Sequence, residues 1–375
     1  MKYIDEYRDP LLARGLLSTL ERLAEKIGRP VTIMEVCGSH TFAIAHFGLR
    51  DCLPPSLRLI SGPGCPVCVT SASDIDGILY LAKQYKATIA TFGDMLRVPG
   101  TGGVSLQQLR AGGAKVEVIS SAIDAMKMAE AQPDQQFILL GIGFETTAPT
   151  VAATVMACRR KGIGNLSVFS VLKTIPQAIR TLIDDPELNI DGFLCPGHVS
   201  TITGAGIYEL IPRAHRAAVI TGFEPVDILE GLNMILRQLA EGRFEVAVQY
   251  GRGVRLQGNP RARSVMNEVF EEVDAEWRGL GVIPGSGLAL RGSFADFDTR
   301  RRFPIPVLPS AEAKGCECGS ILRGVKSPDK CPLFRKVCHP ANPVGPCMVS
   351  AEGTCAAYYK YYGKSLINAE GVEET

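Results

Sequence analysis

The residues most able to do chemistry in this 375-residue chain are its 12 cysteines, which fall into groups. Cys316, Cys318, Cys331, Cys338, Cys347 and Cys355 crowd a single C-terminal segment. Cys65 and Cys68 form a CxxC pair in GPGCPVC. Cys37 stands alone in EVCGSH, with His40 close behind it. Cys52, Cys158 and Cys195 are scattered and read as small buried hydrophobes.

The C-terminal text interleaves its thiols with Pro and Gly, whose turns allow side chains from a long stretch to converge. Four thiolates hold a [4Fe-4S] cluster, and a four-cysteine zinc site is the rival. Structural zinc sites favour paired CxxC knuckles. This segment has none and its spacings are wide, so the cluster is the preferred reading. Six cysteines are two more than a cluster needs, and CxC geometry makes it hard for both Cys316 and Cys318 to reach one cubane. His339, between Cys338 and a proline, reads as a neighbour of the site.

The CxxC spacing of Cys65 and Cys68 closes a small disulfide ring reversibly. The pair lies between a strand and a helix start, where backbone N–H groups and the macrodipole favour thiolate. Cys37 and His40 lie in a loop after a strand. They fit either a nucleophile–base pair or an iron-binding thiolate with a histidine beside it, and both remain open. Glu145 in GFETTAP, His198 in PGHVS, Asp94 in FGDML and Glu224 in TGFEP are polar groups at strand ends. A Glu there can be only a helix cap, but together in one cleft such groups handle protons or bind a ligand. The glycine-rich GTGG lacks the lysine of a P-loop, so nucleotide binding is not supported.

These residues need elements to position them. Residues 10–27 space leucines for an amphipathic helix, with Pro10 at its start and Gly28 at its stop. Two series of apolar runs follow, at 31–36, 57–61, 87–92 and 115–120, then at 137–143, 166–171, 190–195 and 217–223. Helical stretches such as 72–85 separate them, which is the alternation of βαβ units and parallel sheets. The fold class is therefore α/β: two similar parallel-sheet domains, 30–135 and 136–245, facing a cleft. Residues 1–29 and 246–375 form a smaller helical and irregular part that carries the iron–sulfur site. Within it, 264–281 reads as a helix and 282–315 as irregular connection. Functional loops are expected at the carboxyl ends of the strands.

Composition bounds the partners. A net charge of +1 gives no case for nucleic acid or an anionic membrane. No apolar run reaches the ~20 residues that span a bilayer, and the start has no apolar signal core. The expectation is a soluble, cytoplasmic protein, where many cysteines mean metal or redox chemistry.

Taken together, EVCGSHT, SGPGCPVC, FGDMLRVPG, GFETTAPT, CPGHVS and CPLFxxxCxPxxPVGPCMVSxEGTC resemble the HypD family of hydrogenase maturation proteins, from about Tyr7 to Tyr362. The resemblance implies assembly of the Fe(CN)₂CO group of [NiFe] hydrogenases. It implies a complex with a HypC-like chaperone that shares the iron, and cyanide from a HypE-like donor. It makes Cys37 the thiolate that holds iron, with His40 nearby, and Cys65 and Cys68 a redox dithiol. By similarity to ferredoxin–thioredoxin reductase, Cys316, Cys331, Cys338 and Cys355 become the [4Fe-4S] ligands, and Cys318 with Cys347 a dithiol beside the cluster. Phe42 stands where some family members have a second histidine. A monomer that forms heterocomplexes is the expected state. The competing readings are a cluster-dependent thiol–disulfide reductase of a partner protein and a structural zinc module.

Overall fold

The computed structural model describes residues 4–361; Tyr362, where the family resemblance ends, lies outside them. The apolar runs become strands almost residue for residue. They are β1 (Val31–Glu35), β2 (Leu57–Ser61), β3 (Thr88–Thr91), β4 (Val116–Val118), β5 (Phe137–Gly141), β6 (Leu166–Ser170), β7 (Gly192–Pro196) and β8 (Ala217–Thr221). A short β9 (Val246–Val248) follows. All nine pair in parallel, so the α/β class holds. The helix Pro10–Ile27 begins and ends where its residues dictate. Asp9 accepts N–H bonds from Leu11 and Leu12, Pro10 opens the first turn, and Gly28 stops the helix at φ 66°.

The grouping of strands differs from the expected halves. One sheet runs β4-β3-β5-β6 and the other β2-β1-β7-β8-β9. β1 therefore finishes its ladder on a strand from the other end of the α/β region, with Ile33 opposite Gly192 and Met34 opposite Phe193. A boundary at 135/136 would split the four-stranded sheet between its paired strands β3 and β5. The apolar run of a buried parallel strand states that it is buried, and does not state its neighbour.

A second correction falls after residue 259. The helix is Pro260–Val269, capped by Asn259, whose side chain accepts the Ala262 N–H. The chain then turns extended, and β10 (Phe270–Trp277) pairs antiparallel with β11 (Gly281–Leu290). Phe270 and Trp277 bury both ends of β10, and Gly279 and Gly281 supply positive φ at the turn. Helix-forming glutamates between them are overridden by that cross-strand burial. The hairpin joins the two halves: Thr174 donates to the Ser286 carbonyl, and Arg278 to the Val69 carbonyl.

Successive side chains in each strand enter different cores. Ile33, Leu194 and Val219 pack under the helices Pro10–Ile27 and Pro225–Glu241. Met34, Phe193 and Ile220 face a core shared with Ile89, Ile138 and Phe169 of the other sheet. That shared core also takes Cys65, Cys68, Cys318, Cys338, Cys347 and Cys355. The thiols are thus gathered by the packing between the two sheets.

Candidate functional site

β1 delivers Cys37. The strand ends at Glu35, and Cys37 is the N-cap of the helix Gly38–His46. Glu35 is fully buried and holds the turn with both carboxylate oxygens. One accepts the Cys37 N–H at 3.2 Å and the other the Thr41 hydroxyl at 2.6 Å. Burial raises the Glu35 carboxyl to about 7, against hydrogen bonds from Ser61 and Thr41 and the nearby Arg50 charge.

Cys37 is buried, with 9% of the residue exposed. Burial pushes its thiol up to about 12, Glu352 and Glu35 push the same way, and the His40 and Ser39 backbone N–H groups oppose them. A cation at the sulfur would reverse that balance. His40 is fully buried and is pulled down to about 4 by burial. Its Nε2 lies 2.9 Å from the Gly222 carbonyl and 2.9 Å from the Thr221 hydroxyl. A carbonyl only accepts, so Nε2 carries the proton. Nδ1 is left with a lone pair and has no partner among the described residues.

Two loops close on Cys37. Gly64, of GPGC, accepts the Gly38 N–H at 2.9 Å and leaves no room for a side chain, since a Cβ there would sit 2.3 Å from the Cys37 nitrogen. From the far end of the chain, Glu352 accepts the Ser39 hydroxyl at 2.7 Å and packs against Gly38.

Cys65 and Cys68 form a disulfide with Cα atoms 5.2 Å apart. Cys65 caps the short helix Pro66–Val69 through its sulfur, which accepts the Cys68 N–H. The Cys68 sulfur lies 3.8 Å from the Pro346 carbonyl, beside Cys347. The CPVC loop therefore touches the Cys37 loop on one side and the C-terminal cysteines on the other.

In that C-terminal group, Cys318, Cys347 and Cys355 are mutually hydrogen-bonded thiols on three different short helices, and Cys316 bonds to Cys318. The bond from Cys318 lowers Cys316 to about 7. Cys338 is buried and its sulfur accepts N–H bonds from Val344 and Gly345, while Cys331 is half-buried near Gly315. Gly345 forms a cradle, since a Cβ there would meet the Cys316 and Cys318 sulfurs at 2.7 Å. Among the described residues, no three His, Cys, Asp or Glu side chains surround one ion position. Soft, buried, clustered thiols are the donor set a cubane requires, and Gly345 keeps the approach to two of them clear. Cys318 does lie beside Cys347, but four of the six are not singled out as ligands by these contacts.

The remaining expected residues divide. His198 is exposed and stacks on Phe223 at 4.0 Å, and His40 meets the same ring at 4.7 Å. The two histidines thus share one aromatic neighbour. Glu145 is buried, but one oxygen caps the helix Ile175–Ile183 through the Ile175 N–H and the other has no partner among the described residues. Burial raises it to about 7. Glu224 pairs with Arg8 at 2.5 Å and is the N-cap residue of Pro225–Glu241. Asp94 lines a groove of about 540 Å³ beside the Cys37 helix, with Phe42, Arg97 and Ala351. Glu35, Ser39, Thr41, Phe223 and Glu352 are additions from the structure. A lone Glu at the end of an otherwise apolar strand was a legible signal for the first.

A family model described as HypD, Hydrogenase formation hypA family, matches residues 12–362. The chain is 45% identical to the hydrogenase maturation factor HypD of Azotobacter vinelandii, over 96% of this chain and 97% of that protein. It is 43% identical to the protein of the same name from Cupriavidus necator, over 96% and 97%. A putative hydrogenase expression/formation protein of Methanocaldococcus jannaschii is 42% identical over 94% and 98%. Among the described residues, no helix is long and apolar enough to cross a membrane.

Proposed function

The chain belongs to the HypD family of hydrogenase formation proteins, and on that premise we propose that it is the scaffold on which an Fe(CN)₂CO group is assembled. In this reading Cys37 holds the iron jointly with a HypC-like chaperone, and cyanide arrives from a HypE-like donor. The observation that carries the reading is the bridging position of the CPVC loop, against Cys37 through Gly64 and against Cys347 through Pro346.

The iron is cargo, and the residues around it set its chemistry. A thiol held near 12 keeps its proton until a cation displaces it, so loading and deprotonation occur together. Soft thiolate suits low-spin iron carrying cyanide and carbon monoxide. His40 stays neutral and offers a bare Nδ1.

Cys65, Cys68 and the six C-terminal cysteines move electrons. A [4Fe-4S] cluster, when bound by Cys316, Cys331, Cys338 and Cys355, supplies electrons one at a time. Cys347 attacks the Cys68 sulfur and releases Cys65 as thiolate; Cys318 then attacks Cys347 and releases Cys68. The products are a Cys318–Cys347 disulfide and a Cys65/Cys68 dithiol, so no net oxidant is consumed in the exchange. Two electrons and two protons restore Cys318 and Cys347.

The test is infrared spectroscopy of protein purified without oxygen together with its HypC-like partner. Cyanide and carbon monoxide bands are expected from the native chain. They should be lost in C37A, and absent or greatly weakened in C65A/C68A. Undiminished bands in C65A/C68A would overturn the relay.

A further inference from the structure

β2 is the outer strand of the five-stranded sheet, and a cavity of about 250 Å³ lies between it and the C-terminal segment. Arg50, Arg58 and Lys326 line this cavity, and no lining side chain among the described residues is acidic. Arg58 and Lys326 are exposed. Lys326 shares its charge with Glu317 at 2.9 Å, and the nearby Asp329 pairs with Lys330. Arg50 commits its terminal nitrogens to the Leu59 carbonyl, the Tyr358 hydroxyl and Ser61, but its buried Nε–H has no partner among the described residues. The cavity thus presents positive charge that is incompletely answered.

Its inner wall leads to thiols. Ile321 lines it and sits in the same short helix as Cys318. Thr354 lines it and directly precedes Cys355. Cys318 and Cys355 are hydrogen-bonded to each other, whereas Cys347 faces the CPVC pair through Pro346. The C-terminal cysteine group therefore has a disulfide as one neighbour and a basic, solvent-facing cavity as another.

We infer that this cavity is the docking site of an acidic one-electron carrier protein, which delivers electrons to the C-terminal cysteine group. The inference rests on the relay proposed above and names its entry point. Each encounter would oxidise the carrier by one electron and reduce by one the [4Fe-4S] cluster proposed at Cys316, Cys331, Cys338 and Cys355, which would pass it to the Cys318–Cys347 disulfide left by the exchange. Two encounters, with two protons from solvent, supply what reopening the Cys65–Cys68 disulfide consumes. Opposite charge steers such encounters and fades with salt.

The experiment uses the full chain, purified without oxygen, with a dithionite-reduced plant-type ferredoxin as the probe. Affinity for the probe and the gain of two alkylatable thiols at Cys65 and Cys68 are measured for the native chain and for R58E/K326E. The charge reversal is expected to weaken binding tenfold or more at low ionic strength and to slow thiol appearance in step. Thiol release by dithiothreitol, which needs no docking, should be unchanged, and an unchanged circular-dichroism spectrum and thermal midpoint show that the variant is folded. Equal binding by both proteins overturns the docking site. Charge-dependent binding to a protein without visible sulfur-to-iron absorbance leaves docking standing and refutes the cluster reading instead.

Discussion

At the residue scale, the informative groups are buried polar atoms that burial has made costly. Glu145 is the clearest, because its carboxyl moves from an ordinary 4.5 to about 7 inside the fold. Below pH 4.5 it is protonated in both folded and unfolded chains and contributes nothing to their balance. As pH rises from 4.5 to 7 only the unfolded chain ionises, so stability falls. Above 7 the loss is complete and is on the order of 3 kcal/mol. E145Q keeps an oxygen for the Ile175 N–H and cannot ionise, so it should flatten this fall. Urea midpoints at pH 5 and pH 8 measure it, and an undiminished slope in the variant would assign the effect elsewhere. The sequence flagged Glu145 as a cleft residue, while its contacts are those of a helix cap. Types and spacing singled out Cys37, His40 and the CxxC pair as candidates, and the fold sets Cys37, His40 and the CPVC loop close together. They did not reveal Glu352, because a partner more than three hundred residues away leaves no local pattern.

Elements fix how closely reactive groups approach, and Gly64 marks a place where no side chain fits. At Gly64 a Cβ would collide with the Cys37 backbone itself, which cannot swing aside as a side chain could. G64A should cost about 1–3 kcal/mol and raise the alkylation rate of Cys37 as the loops part. Normal reactivity with normal stability would show that the loops adjust freely. The strands were legible because buried parallel β-structure writes itself as short apolar runs between glycine-rich turns. The hairpin Phe270–Leu290 was not legible. Its charged first strand reads as helix, and only the burial of Phe270 and Trp277 against distant segments makes it extended.

At the scale of the whole molecule, the C-terminal segment is tied to the rest through the shared core and through well-placed polar contacts. Arg50 joins Leu59 and Ser61 of β2 to Tyr358, and Glu352 joins Ser39. Hydrogen bonds to a charged group are worth about 1.5–3 kcal/mol each. R50A should therefore lower amide-exchange protection across the helix Thr354–Tyr361 by tenfold or more, and leave β3, β5 and β6 unchanged. Equal loss in both regions would mean that the segment and the sheets open as one unit. The split five-stranded sheet has a further consequence, for the order in which the molecule is made. β1 and β2 leave the ribosome early, but the strand that completes β1 begins at Gly192, and all four strands of the other sheet emerge in between. At ~5–20 residues per second of synthesis, that wait is on the order of ten seconds. The inserted sheet can fold during it, whereas the Cys37 turn is finished only when the last cysteines have emerged. On the proposed reading of Cys37 as the iron-holding thiolate, a nascent chain would have no competent site to fill by mistake, and loading would wait until the segment carrying Glu352 has been made.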